Sequence, residues 1–262
     1  MALYYKEDGE QNEQIVFFLH GGGVGGWMWD KQVQYFKRNY HCIVPDLPGH
    51  GRSRDAEFVS IEDCACQLIH LLEEKKEDKK IIVVGFSLGA QIAIQMLSQS
   101  PNLIDYAMIN SALVRKVPFG KELVKPSVKL TYPLIKYRFF SKLQAKQLYI
   151  DQDLFEKYFK ESNLMSSETL TRVLEENMSF LIPDSFADIK AKLLITVGEK
   201  ERKVIKDSAI DLLSKQGRAQ AITITGIGHG ISLAAPNFFN DILENWLAGA
   251  GPLPNTQEIL KC

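Results

Sequence analysis

Hydrophobic positions along the chain follow two rhythms. Six short runs are apolar almost without interruption: Ile15 to Leu19, His41 to Val44, Ile81 to Val84, Tyr106 to Ile109, Leu193 to Val197 and Ala221 to Ile224. They are rich in β-branched residues and are followed by Gly, Pro, Asp or Asn, which predicts strands buried on both faces of a parallel sheet. Between them, apolar residues recur at helical spacing. Ser60 can cap a helix that carries Ile61, Ala65, Leu68 and Leu72 on one side, with Asp63 as a weak capping-box partner. Leu88 to Leu97 is apolar nearly all round and predicts a buried helix ending at Ser100-Pro101. A last stripe, Phe238/Phe239, Ile242/Leu243 and Trp246/Leu247, predicts a helix packed on the core. The mixed charges from Glu73 to Lys80 read as a solvated helix end and loop. Strands alternating with helices place the chain in the α/β class, with a mostly parallel central sheet flanked by helices.

The alternation stops between about Leu113 and Phe186, where the pattern turns helical and rich in aromatic residues. This predicts an inserted helical cap over residues 113–186, set into a core domain made of residues 1–112 and 187–262. Ahead of the first strong run only Leu3 to Lys6 has strand character, and the tail from Gly249 to Pro254 reads as a loop or disordered end.

Composition narrows the choices without selecting one. With 45% hydrophobic and 24% charged residues in 262, the chain has the makings of one large core and no case for disorder. A net charge of −1 supplies no overall field to gather nucleic acid or to hold an anionic membrane. The first residues lack a basic stretch followed by an apolar run, and no segment approaches 18 consecutive apolar residues, so a cytoplasmic protein without stable membrane insertion is expected. Cys42, Cys64, Cys66 and Cys262 show no C-x-x-C spacing and the histidines no H-E-x-x-H, which points to reduced thiols and no zinc site. Charge is uneven locally. Residues 113–146 carry nine basic side chains against Glu122 alone, a net +8, whereas 147–184 sum to −5. Two readings are open: solvated helix faces that attract one another, or a basic half that draws an acidic substrate or an anionic lipid surface.

The chemistry begins at Gly85-Phe86-Ser87-Leu88-Gly89, a G-x-S-x-G segment between a predicted strand and a predicted buried helix. A sharp strand-to-helix turn there lifts a serine above the sheet, with glycines where a side chain would clash. His20-Gly21-Gly22-Gly23 follows the first strong strand, and such a run can turn its N–H groups toward an oxyanion. Gly22 is the expected first donor and Leu88, at the start of a helix, the second.

These segments resemble those of the α/β-hydrolase superfamily, in its capped esterase-like and C–C hydrolase-like group. The matching residues are Leu19-His20-Gly21, Trp29, Val44 to Ser53, Val84 to Gly89, Val197 to Glu201 and Gly228-His229, in the family's order. The resemblance implies a nucleophile at Ser87, a catalytic acid after the penultimate strand and a histidine, His229, after the last. The acid position departs from the usual Asp. Glu201 is the first choice, Glu199 the rival and Asp207 a distant third, since the histidine needs only a carboxylate within reach of Nδ1. His20 and His50 are expected to brace loops and Asp46 to shape a turn. The sheet is expected to be at least one strand short of the family's eight.

A serine at position 87 sets aside the family's dehalogenases and epoxide hydrolases. What remains is acyl transfer to Ser87, first of all hydrolysis of a small or medium acyl ester, without a cofactor. Thioesterase, peptidase, C–C hydrolase and lyase chemistry use similar elbows, and a ligand receptor on the same scaffold is a different class again.

Overall fold

The computed structural model describes residues 3–251 and 253–259, which leaves Cys262 outside the described residues. Eight strands form one sheet: β1 (Tyr5–Asp8), β2 (Gln14–Leu19), β3 (His41–Pro45), β4 (Lys80–Phe86), β5 (Tyr106–Asn110), β6 (Lys192–Gly198), β7 (Gln220–Ile224) and β8 (Thr256–Glu258). Their order is β1-β3-β2-β4-β5-β6-β7-β8, parallel from β3 to β7 with β1 and β8 antiparallel at the two edges. The six apolar runs all become strands. Their near-continuous hydrophobicity follows from burial on both faces: Ile15, Phe17 and Leu19 of β2 enter one core cluster, and Val16 and Phe18 enter the other.

The expectation of a shorter sheet is corrected. Both edge strands lack the pattern that reveals a buried strand. β1 reads Tyr-Lys-Glu-Asp and is half-buried, held by pairing with β3 from Tyr5↔Pro45 to Asp8↔Cys42. β8 reads Thr-Gln-Glu and comes from the tail beyond Gly249 to Pro254. It covers the open edge of β7, and the next residue, Ile259, donates its N–H to the Ala221 carbonyl at 2.8 Å.

Helices α1 (Asp30–Phe36), α2 (Ile61–Lys75) and α3 (Leu88–Gln99) precede β5. Ser60 caps α2 as expected, its hydroxyl accepting from the Asp63 N–H at 3.0 Å. Between β5 and β6 stand α4 (Gly120–Thr131), α5 (Arg138–Gln147), α6 (Gln152–Leu164) and α7 (Ser167–Ser179). After β6 come α8 (Lys203–Lys215), α9 (Ile231–Ala234) and α10 (Pro236–Leu247). α2, α3 and α8 cover one face of the sheet, and α1 and α10 the other. Among the described residues no helix is long and apolar enough to cross a membrane.

Because β3 to β7 run parallel, the segments that follow all emerge along one edge. That edge gathers His20 to Gly23, Asp46, Ser87, Ser111, Glu199 to Glu201 and the loop leading to His229. Open parallel sheets place their sites there.

Candidate active site

Ser87 sits between β4 and α3 with φ +53° and ψ −112°, a left-handed conformation that is strained for serine. Close backbone approach holds it there. A Cβ on Gly85 would lie 2.4 Å from the Gly89 carbonyl oxygen, and one on Gly89 would lie 2.3 Å from that of Leu19. Any side chain at either position would push α3 away from the sheet. The Ser87 N–H donates to the Asn110 carbonyl at 2.9 Å, and its own carbonyl accepts from Ala90 and Gln91. Leu88 is the first helical residue, so its N–H has no carbonyl one turn earlier within α3.

The glycine run after β2 lies against this elbow. A Cβ on Gly21 would stand 3.6 Å from the Ser87 Cβ, and one on Gly22 would stand 3.7 Å from a Leu88 methyl and 3.1 Å from Val173 of α7. Buried His20 orders the run by donating from Nδ1 to the Gly21 carbonyl at 2.8 Å while Nε2 accepts from the Leu47 N–H at 2.9 Å. That pairing requires the neutral ring, and burial lowers the pKa of His20 accordingly. His50 packs edge-on against it at 5.1 Å; burial, then the neighbouring His20, lowers its pKa to about 3. Asp46 accepts from the N–H groups of Gly26 (2.7 Å) and Arg52 (2.8 Å). Both histidines and Asp46 therefore brace loops.

Three carboxylates were open for the acid, and the structure separates them. Glu201 is buried, and its Oε2 lies 2.9 Å from His229 Nδ1. Glu199 turns the other way, accepting from the Gly226 N–H at 2.7 Å. Asp207 pairs with Arg115 (2.9 Å) and Lys203 (2.7 Å). The His229 ring packs on that of Phe86, the neighbour of Ser87, with centroids 4.8 Å apart, and its side chain stays about one-third exposed. No hydrogen bond joins Ser87 to His229 among the described residues; such contacts often tighten only when substrate binds.

Two residues escaped the sequence reading. Ser111, just past β5, donates its hydroxyl to Glu201 Oε1 from a left-handed backbone, φ +56°. Its proximity to Glu201 depends on β5 lying beside β6, which no local pattern announces. Tyr149, between α5 and α6, accepts the Gly228 N–H on its hydroxyl at 3.0 Å. It stood among the many aromatics of the inserted segment with nothing to single it out.

A family model described as "Alpha/beta hydrolase family" matches residues 16–242. The chain is similar to an (E)-2-((N-methylformamido)methylene)succinate hydrolase of Acinetobacter baylyi, 24% identical over 94% of this chain and 94% of that protein. It is also similar to Lipase 1 of Psychrobacter immobilis, 24% identical over 92% of this chain and 81% of the lipase. Among solved structures, a thermophilic esterase from Thermogutta terrifontis superposes with a TM-score of 0.78 at 17% identity, covering 94% of this chain and 93% of the esterase.

Proposed function

The chain belongs to the alpha/beta hydrolase family, and from that premise we propose that it is a serine hydrolase acting on small or medium acyl esters through an acyl-enzyme. Its relatives are named hydrolases and esterases, which supports hydrolysis as the reaction class. The observation that carries the finer reading is the 2.9 Å contact of Glu201 with His229 Nδ1, on the sheet edge where Ser87 is held in its strained turn.

In this reading Glu201 holds a proton on His229 Nδ1, which leaves Nε2 free to take the proton of Ser87 as its hydroxyl attacks the ester carbonyl. The negative charge that develops on the carbonyl oxygen meets the N–H groups of Gly22 and Leu88. His229 returns its proton to the departing alcohol, and a water activated in the same way releases the acid. Residues 113–186 act as a lid whose α7 meets the oxyanion loop through Val173 and Gly22. Free thiols at Cys42, Cys64 and Cys66 suit a cytoplasmic setting.

The test is a fluorophosphonate probe together with a p-nitrophenyl acyl ester. Wild-type protein is labelled at Ser87 and turns the ester over, and Ser87→Ala loses both while keeping its thermal transition. Labelling elsewhere, or undiminished turnover by Ser87→Ala, overturns the assignment.

A further inference from the structure

The outer surfaces of α4 and α5 each carry exposed apolar side chains and a row of basic ones. On α4, Val124 and Val128 point into the fold, whereas Leu123 and Leu130, seven residues apart and so nearly in line, point away from it. Phe119, at the start of that helix, is 75% exposed, and Leu130 equally so. Lys121, Lys125 and Lys129, at i, i+4 and i+8, form a basic stripe on the other flank of the helix, about 140° around its axis from the apolar one. On α5 the two stripes adjoin: Ser141 and Ala145 are buried, Phe139 (76% exposed) and Leu143 (50%) face out, and Arg138, Lys142 and Lys146 form the neighbouring stripe. Like charges four apart weaken a helix, and exposed Phe and Leu gain nothing from water, so neither stripe serves the stability of its own helix.

The acidic half of the inserted segment does not neutralise these stripes. Of the nine basic residues in 113–146, Lys125 pairs with Glu175 and Arg138 with Glu156, while Arg115 is taken up by Asp207 and Asp211. Among the described residues, the other six (Lys116, Lys121, Lys129, Lys136, Lys142 and Lys146) form no ion pair with a carboxylate. Mutual attraction therefore accounts for little of the segment's polarity. A second copy of the chain is a poor complement, because a two-fold interface on this face would set lysine stripe against lysine stripe.

Exposed large apolar side chains flanked by lysines on surface helices match the chemistry of an anionic interface between water and acyl chains. We propose that the outer faces of α4 and α5 dock the protein peripherally on an anionic phospholipid surface. Phe119, Leu123, Leu130, Phe139 and Leu143 enter the headgroup layer and the unpaired lysines meet the lipid charge. α4 packs on α7, where Gly120 approaches Met178 and where Val173 reaches Gly22, so the docked face lies one helix away from the glycine run beside Ser87.

Co-sedimentation with vesicles tests this without turnover, which keeps it separate from the proposed chemistry. The vesicles are phosphatidylcholine alone, or phosphatidylcholine with about one-third phosphatidylglycerol to supply a negative surface. Wild type and Ser87→Ala should partition onto the anionic vesicles at least about tenfold more strongly than onto neutral ones, and lose that preference near 1 M salt, where screening falls to about 3 Å. Lys121→Gln/Lys129→Gln/Lys136→Gln should weaken binding by at least about tenfold, given roughly fivefold per lysine near the surface. Phe119→Ser/Leu123→Ser/Leu130→Ser should weaken it to a similar degree, with soluble-ester turnover and thermal transition unchanged. Leu130→Ser alone, at a three-quarters exposed position, should show the same direction if the triple variant misfolds. Equal partition onto both vesicles, indifference to salt, or variants that bind like wild type overturn the proposal. So does a concentration-dependent dimer that the serine variant abolishes without any vesicle binding, which would assign the face to a second copy.

Discussion

The C-terminal edge of the sheet and the helices α4 to α7 that follow β5 are built on different terms. At the edge, positions are dictated by backbone in near contact: Gly85 and Gly89 admit no Cβ, and the Ser87 N–H is taken by the Asn110 carbonyl. The helical segment between β5 and β6 reaches the core through side chains: Val173 and Phe180 join one core cluster, Phe155 and Tyr158 the other, and single hydrogen bonds add to this packing. Trp27 donates to Glu161 (2.5 Å), the Ile61 N–H to Glu176 (3.0 Å), Gln91 to the Asn177 carbonyl (2.9 Å) and the Gly228 N–H to Tyr149 (3.0 Å). It also leaves Phe119, Leu130 and Phe139 exposed. A structure held by backbone contact tolerates no gradual adjustment, whereas one held by side-chain packing and single hydrogen bonds can adjust piece by piece. Reacting groups gain most from the first arrangement.

The largest effect expected at the rigid edge separates the two nearby glutamates. Glu201→Gln should lower kcat by roughly 10³–10⁴, since an amide favours the wrong His229 tautomer, and His229→Ala should cost at least as much. Glu199→Gln, which loses only a loop contact to Gly226, should stay within about tenfold. Steady-state kinetics on a p-nitrophenyl ester read both, and the reverse ranking would move the acid to Glu199.

Next in size is a pH effect on stability from the histidines that brace the same edge. His20 and His50 have folded pKa values below their ordinary 6.5, the latter at about 3, so the unfolded chain binds more protons below pH 6.5. Their stabilisation is complete above pH 6.5 and is lost as pH falls from there toward the folded values. Each adds a slope of up to about 1.4 kcal/mol per pH unit in that window. Denaturant midpoints between pH 7 and pH 4 should fall steeply, and His50→Gln should flatten the fall; an unchanged slope would deny the buried ring this role.

Ser111 tests whether backbone strain and hydrogen bonding at the edge are separable. Ser111→Ala and Ser111→Gly both remove the donor to Glu201, and both should lower kcat about tenfold. Only glycine suits φ +56°, so Ser111→Gly should be the more stable of the two by about 1 kcal/mol in thermal unfolding. If alanine keeps full activity, Ser111 does not position the acid.

The smallest effect crosses from one region to the other. Tyr149→Phe removes the acceptor of the Gly228 N–H and should reduce kcat only a few-fold, about 1 kcal/mol, with the fold intact. A loss as large as that of Glu201→Gln would mean that the helical segment between β5 and β6 holds the His229 loop in place, and the contrast between the regions would fail.

What was legible in the sequence follows the same division. The six central strands could be read because burial on both faces demands unbroken apolar runs, and the buried helix after Ser87 because it is apolar all round. β1 and β8 could not be read, since an edge strand is held by backbone pairing and needs no apolar residues. Glu201 and Glu199 are two positions apart in one loop, and spacing alone left both open.

By itself, then, the sequence determined the α/β layering, the strand-turn-helix at Ser87, the glycine run and the order in which Glu199, Glu201 and His229 follow. These depend on local conformational limits and on the periodicity of burial, both written along the chain. Tertiary structure alone decided that Glu201 and not Glu199 faces His229, that Ser111 donates to Glu201, that Tyr149 meets the His229 loop and that, among the described residues, most lysines of α4 and α5 form no ion pair with a carboxylate. Each of these joins residues far apart in the chain or chooses a side-chain direction. Only the order of strands in the sheet and the packing of helices over it could settle them.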